Sequence, residues 1–358
     1  MIDDVKEIIP SQPEWLKERT IFLTRYGSHA YGTSTPSSDL DVRGVAIPPR
    51  DYILGFSKTF EQSISSTPVD LCIYGLQKFM NLAADCNPSI IEVLWVDDSD
   101  ILLETSLGKK LRDHKQLFLS QKAKHTFSGY ALSQLKRIRA HRRWLLSPLK
   151  SPPSRSEFSL PERRVMSVDQ QGAAFARIQQ LLDSWELDLS DLDDARRIHI
   201  TTQIARVVEE KTTDDFRQAG KLLGFDDNLM DYLEREKRYQ TASREWDNFQ
   251  NWKTNRNKAR AELEAKMGYD GKHASHLVRL LKMCREILEG KGVIVKRPNA
   301  EELLEIRNGA WTYDQLVEFA ETEDKALYEV MKQSPLPRTP PRDQLDRLCV
   351  DLIEQFLV

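Results

Sequence analysis

Tyr26-Gly27-Ser28-His29-Ala30-Tyr31-Gly32, followed by Ser38-Asp39-Leu40-Asp41-Val42-Arg43-Gly44, is the stretch that decides how this chain reads. Residues 20–26 form a strand candidate, and a short helix is expected after Gly27-Ser28. A glycine at such a junction has no Cβ to block a phosphate. Backbone N–H groups at a helix start, with the Ser28 hydroxyl beside them, are donors for an anion. Residues 40–47 alternate and stop at Pro48-Pro49, as a strand does. Asp39 and Asp41 are two apart, so on a strand both leave the same face. Carboxylates that close repel and favour cations between them. Mg2+ takes a few carboxylates together with phosphate oxygens and waters. Two such ions about 3.5–4 Å apart hold the attacking and leaving oxygens of an in-line displacement.

A third carboxylate is expected, and Asp70 is the first choice. In Val69-Asp70-Leu71-Cys72-Ile73 the apolar residues point one way and Asp70 the other. An acid on an otherwise apolar strand needs a partner. Glu61, on the preceding strand candidate, competes for the role. The bland alternative for the whole pattern is a turn followed by two solvated aspartates.

Further out, a helix is expected around residues 14–19 and strands over 60–64 and 69–74. Residues 76–84 place Leu76, Phe79, Met80 and Ala83 on one helical face. From about residue 102 the pattern turns helical, with long segments over 110–119 and 123–146. Residues 147–164 are rich in Pro and Ser and read as a linker or loop. Helices are then expected over 177–185, 194–211, 237–267, 273–288, 314–330 and 342–356. The expected division is a catalytic domain over 1–120 and a helical domain over 121–358, with the linker near 147–165.

The 358 residues, 40% apolar and 30% charged, fit a soluble globular protein with a charge-rich surface. Cys72, Cys86, Cys284 and Cys349 form no C-x-x-C pair, so they are expected to be free thiols in a reducing cytoplasm. Acidic and basic residues at 3, 4, 6 and 7 argue against a signal peptide, and no apolar stretch is long enough to span a membrane.

The net charge of -3 is unevenly spread. Between 121 and 164 the acids are Glu157 and Glu162 alone, while Lys136, Arg137, Arg139, Arg142 and Arg143 lie on one predicted helix. Phe127, Tyr130 and Trp144 are interleaved with them. Such a segment suits a polynucleotide backbone and unpaired bases, or is a solvated face balanced by acids elsewhere. Lys272, His276 and Arg279 recur at helical spacing and would form a cationic stripe facing a triphosphate or an acceptor. His273 and His276 are spaced for zinc, but the sequence offers no neighbouring third ligand. His29 is expected to pack, Arg43 to support a carboxylate, and Asp97-Asp98 with Asp100 to form a solvated loop.

The two opening segments resemble the RNA-repair-pathway family of the DNA polymerase beta nucleotidyltransferase superfamily, whose members are often found beside RNA ligases. Lys78-Phe79, Asn87-Pro88 and Ile91-Glu92-Val93-Leu94 resemble a second motif of that family. Phe127-Ser128-Gly129-Tyr130-Ala131 with Gln134-Leu135 resembles a third, and Lys272-His273-Ala274-Ser275-His276-Leu277-Val278-Arg279-Leu280 a fourth. The resemblance implies an α+β fold: a polymerase-beta-like core of mixed sheet and helices, then a mostly helical C-terminal region. It implies transfer of a nucleoside monophosphate from a nucleoside triphosphate such as ATP, with Mg2+ or Mn2+. Asp39, Asp41 and Asp70 would be the catalytic and metal-binding residues. Gly27, Ser28, Lys272, His276 and Arg279 would bind the nucleotide. RNA, a tRNA 3′ end above all, is the expected acceptor. A protein or small-molecule acceptor, and a non-catalytic nucleotide- or RNA-binding protein, are the alternatives. The oligomeric state and the role of residues 150–235 are not legible.

Overall fold

The computed structural model describes residues 5–36, 38–67, 69–184, 213–255 and 258–357. The helix expected over 194–211 lies outside them. The chain forms two compact units, residues 1–146 with 257–358, and residues 147–256. Compactness thus groups the C-terminal helices with the sheet, whereas the expected division at 120/121 remains a proposal about function.

The first unit is built on five strands: β1 (Thr20–Tyr26), β2 (Asp41–Ala46), β3 (Gln62–Ser65), β4 (Asp70–Gly75) and β5 (Ile101–Glu104). Their order is β3-β4-β2-β1-β5. Only β2 and β4 run parallel; the other pairs are antiparallel. This is the α+β fold with a mixed sheet and a mostly helical C-terminal region that the sequence led us to expect. β5 was not foreseen; the sequence reading had already turned helical there.

Alternation along the strands separates two apolar layers. Leu23, Val42, Ala46, Leu71 and Ile73 pack with Ile8, Ile9 and Leu16 on one side. Val45 faces the other side, where Leu76, Phe79, Met80 and Ala83 of the Leu76–Ala84 helix join the larger core. A register shift on β1 between Thr20 and Phe22 puts Ile21 and Phe22, consecutive residues, into that same larger core.

The larger core continues into the Ala123–Leu146 and Gly271–Leu288 helices. Phe127, Ala131, Leu135 and Ile138 of the first share it with Ala274, Leu277, Val278 and Leu281 of the second. Asp270 caps the second helix, accepting from the backbone N–H groups of Lys272 and His273. Buried Lys124 is neutralised by Asp324 at 2.7 Å. The Ala300–Arg307, Tyr313–Lys332 and Arg342–Leu357 helices complete the unit. The first of these was not foreseen.

In the second unit the Val168–Ser184, Thr213–Leu222 and Asp227–Asn255 helices gather Ala174, Ile178, Phe216, Ala219, Met230 and Leu233 into a small core of their own. Arg155 forks onto buried Glu236 through both terminal nitrogens. Of the helix expected over 237–267, the described residues are helical over Asp227–Asn255 and Lys258–Met267. Among the described residues no helix is long and apolar enough to cross a membrane, and Cys72, Cys86, Cys284 and Cys349 are free thiols.

Candidate active site

Parallel pairing of β2 with β4 sets Asp41 beside Asp70 as register partners. Partners in a ladder project to the same face, so the two carboxylates share one side of the sheet. Asp39 lies just before β2 rather than inside it, on the approach to Asp41. On the neighbouring strand Tyr26 is the register partner of Asp41, and Gly27 follows it. Gly27 has φ +67°, and a Cβ there would overlap the Asp41 carboxylate. The glycine therefore allows the turn and leaves room for the acid.

All of these residues open into a cavity of about 710 Å³, lined by Gly27, Ser28, Asp39, Asp41 and Asp70 on the sheet side. Lys272, His276 and Arg279 line its helical side. The helix after Gly27 is a single turn, Ser28–Tyr31. One turn supplies little macrodipole, so an anion there would rely on N–H donors and the Ser28 hydroxyl.

Burial raises the Asp41 pKa above the ordinary carboxylate value, opposed by Arg43 and reinforced by Asp70 and Asp39; Lys272 acts against it from across the cleft. Arg43 donates through Nη1 to the Asp70 carboxylate at 3.2 Å and to its carbonyl at 3.0 Å, the support expected of it. Three carboxylates at one end of a polar cleft, one of them half-buried with its charge disfavoured, are a donor set for a divalent cation. The rival Glu61 is exposed and paired with Lys78 at 2.8 Å, away from the cavity lining.

Behind the cleft lies a polar cluster that sequence reasoning missed. Glu92 is fully buried and accepts from Arg279 at 2.6 Å, Tyr31 at 2.6 Å and Tyr26 at 3.0 Å. The Arg279 guanidinium also lies over the Tyr31 ring, 3.8 Å from its centroid. Burial above all raises both phenol pKa values, so both remain protonated donors. An acid inside Ile90-Ile91-Glu92-Val93-Leu94 is the signal that could have pointed to a partner, though not to which one.

This cluster changes the reading of the cationic stripe. Arg279 is held by Glu92. His276 is pushed down to about 2 by burial first, then by Arg279 and His273, so it is neutral. Among the described residues Lys272 is thus the one charged member of the three without a side-chain ion pair, while Arg279 pairs with Glu92. His276 meets Tyr130 edge-on at 5.5 Å. Tyr130, Ser275 and Arg307 also line the cavity and were not foreseen there.

Of the basic residues on the Ala123–Leu146 helix, Arg139 pairs with Glu321 at 2.6 Å. Arg142 donates to the Gly268 carbonyl and lies over Tyr313. Lys136, Arg137 and Arg143 are exposed. The Asp97-Asp98-Asp100 loop is structural: Asp97 caps Ser99, and Asp98 pairs with Arg112.

With this geometry in view, comparison with known proteins finds similarity in the N-terminal part. Residues 2–150 match the RNA repair pathway DNA polymerase beta family. The recognition made from the motifs is thus met over that segment, which holds all five strands and Asp39, Asp41 and Asp70. The Lys272–Leu280 motif lies beyond it. The chain is also similar to an uncharacterized 38.9 kDa protein from the nrdC-mobD intergenic region of Enterobacteria phage T4. It is 30% identical to that protein over 128 residues, 32% of this chain and 38% of the relative. The similarity thus spans well under half of that protein's length. No solved structure matches the chain significantly.

Proposed function

We propose that this protein is a divalent-metal-dependent nucleotidyltransferase that adds a nucleoside monophosphate from a nucleoside triphosphate to an RNA 3′ end. The observation that carries the reading is the side-by-side placement of Asp41 and Asp70, with Asp39 adjoining, against Gly27-Ser28 in one cavity. The family matched by residues 2–150, named for RNA repair, supports the acceptor class.

Asp39, Asp41 and Asp70 would hold Mg2+ or Mn2+, which when bound offsets the charge of the triphosphate and of the displaced pyrophosphate. Gly27 and Ser28 would take phosphate oxygens through N–H and O–H donors. Lys272, facing Asp41 across the cleft, would meet the triphosphate as a point charge. Asp70, bonded by Arg43, would orient the 3′-hydroxyl that attacks the α-phosphate. Arg279 holds Tyr31 and Glu92 in place behind the Ser28 turn, and His276 contributes a neutral polar edge. Exposed Lys136, Arg137 and Arg143 would meet the RNA backbone, and Tyr130 in the cleft is placed to stack on a base.

The test is incubation of purified protein with each radiolabelled nucleoside triphosphate, Mg2+ or Mn2+, and either total tRNA or total protein extract. Asp39→Asn/Asp41→Asn serves as the control. Metal-dependent label on RNA, absent from the control, is the expected result and names the base. Label on protein alone, or none on RNA with any nucleotide, rejects the RNA reading.

A further inference from the structure

A second cluster of ligating side chains lies apart from the three aspartates. A ring nitrogen of His141, a carboxylate oxygen of Asp270 and a ring nitrogen of His273 all stand within 4.8 Å of one another. The spacing of His273 and His276 permits zinc but offers no third ligand; in the structure His276 meets Tyr130 in the cleft, and His141 from the Ala123–Leu146 helix stands beside His273 instead. We propose that His141, Asp270 and His273 bind one first-row divalent cation, zinc by preference.

Three features of the surroundings fit an ion. The first is the orientation of His273. Gln134 is buried, its amide nitrogen is directed to Ser133, and its Oε1 faces His273 Nδ1 at 2.8 Å. An amide oxygen only accepts, so Nδ1 carries the proton and Nε2 carries the lone pair. Nε2 is the nitrogen turned to Asp270, 3.8 Å from Oδ2. A carbonyl oxygen that fixes the tautomer of a ligating histidine is the common outer-sphere arrangement at zinc.

The second is spacing. At 3.8 Å, Nε2 and Oδ2 are too far apart for a hydrogen bond. Two ligands bound to one tetrahedral zinc stand roughly 3.4 Å apart. A small inward movement therefore suffices, and both histidine side chains, 16% and 18% exposed, leave access for a water as a further ligand.

The third is charge. Asp270 has its Oδ1 on the backbone N–H groups of Lys272 and His273, while Oδ2 is the oxygen turned to His273 Nε2. Glu264, 2% exposed, has Oε1 at 3.6 Å from His141 Nδ1 and supplies a second carboxylate beside the site, as an orienting group. Two imidazoles and carboxylate suit zinc better than Mg2+, which favours oxygen donors. The site would fasten the Ala123–Leu146 and Gly271–Leu288 helices together, with His273 directly following Lys272 of the cleft. It stands independently of the proposed transferase reaction.

The test measures metal content rather than activity. Full-length protein is stripped with a chelator, equilibrated with zinc, freed of excess by gel filtration and assayed by plasma mass spectrometry. One zinc per chain is expected, retained in Asp39→Asn/Asp41→Asn and lost in His141→Ala/His273→Ala. Asp270→Asn provides a variant that keeps an equally good cap and the fold while weakening the site, so it too should lose the metal. Cobalt in place of zinc should give visible absorption in the wild type and not in Asp270→Asn. Absence of stoichiometric zinc in the wild type overturns the proposal, as does its retention by the folded Asp270→Asn variant or its loss from the Asp39/Asp41 variant.

Discussion

Gly27, just past the end of β1, and Asp41, at the start of the adjacent β2, sit so close together that any Cβ on the glycine would occupy the place of the Asp41 carboxylate. Two constraints meet at one residue: φ +67° and the space for an acid. Gly27→Ala should therefore cost more than backbone strain. The left-handed conformation accounts for about 1–3 kcal/mol. Displacement of Asp41 should lower kcat/KM by on the order of a hundredfold, the usual effect of misplacing a reacting group by an ångström. Denaturant unfolding and transfer kinetics on the same preparation separate the two effects. Wild-type kcat/KM in the alanine variant would show that the Asp41 carboxylate has no role that depends on its position.

Asp41 itself allows a linkage argument. Its folded-state pKa lies above the ordinary value, chiefly through burial and with Asp70 and Asp39 adding to it. The favourable contribution of its protonated form is present below the unfolded pKa of about 3.9 and is lost as the pH rises through the raised folded value. At neutral pH the charged form therefore weighs against the metal-free fold. Metal-free Asp41→Asn should be at least as stable as the wild type at pH 7. Added Mg2+ should raise the Tm of the wild type but not of the variant, and turnover should vanish. Equal stabilisation of both by Mg2+ in thermal melts would remove Asp41 from the ion's ligands.

The pairing of Glu92 with Arg279 joins residues 187 apart in sequence. Both are buried, so removing one partner leaves a charge in the core. Glu92→Gln should cost about 3–5 kcal/mol, and Tyr31→Phe, which deletes one bond to the carboxylate, about 1.5–3 kcal/mol. Replacing both Glu92 and Arg279 with Met should cost less than the Glu92→Gln change alone, because no unpaired charge remains. Equilibrium urea unfolding of the three variants gives the comparison. A double variant more damaged than Glu92→Gln would mean that packing, not charge, dominates the cluster.

What the sequence revealed and what it hid follow from range. Thr20–Tyr26, Leu76–Ala84 and Ala123–Leu146 were legible because apolar spacing is a local signal, and these segments are long enough to express it. Ile101–Glu104 is four residues long, between an acidic loop and a helix, and shows too few alternations to read. The juxtaposition of Asp39 and Asp41 could be read because they are neighbours in the chain. That Asp70 stands beside Asp41 could be inferred only from chemistry, since the parallel β2–β4 pairing that places it there is non-local. The partner of Glu92, and the arrival of His141 next to His273, depend on helix packing that no spacing rule contains. The cationic stripe was misread for the same reason: helical spacing put Lys272, His276 and Arg279 on one face, but burial then altered the charge state of His276.

His276 gives the last prediction. Burial, followed by the charges around it, sets its pKa at about 2, far below the 6.5 of a solvated imidazole. The folded protein therefore refuses a proton that the unfolded chain accepts once the pH falls below about 6.5. Neutral His276 contributes stability that is complete above that value and is lost progressively as the pH falls towards about 2. Within this window it steepens the acid limb by at most about 1.4 kcal/mol per pH unit. His276→Asn, which does not titrate, should flatten that limb between pH 4 and 6 by roughly this amount, with little change in slope above pH 7. The imidazole signal of His276 should also hold a constant NMR shift from pH 8 down to the onset of unfolding. An ordinary titration near pH 6.5 would mean that the imidazole is solvated and charged in mild acid, and Lys272, His276 and Arg279 would then act on a triphosphate as a cationic set.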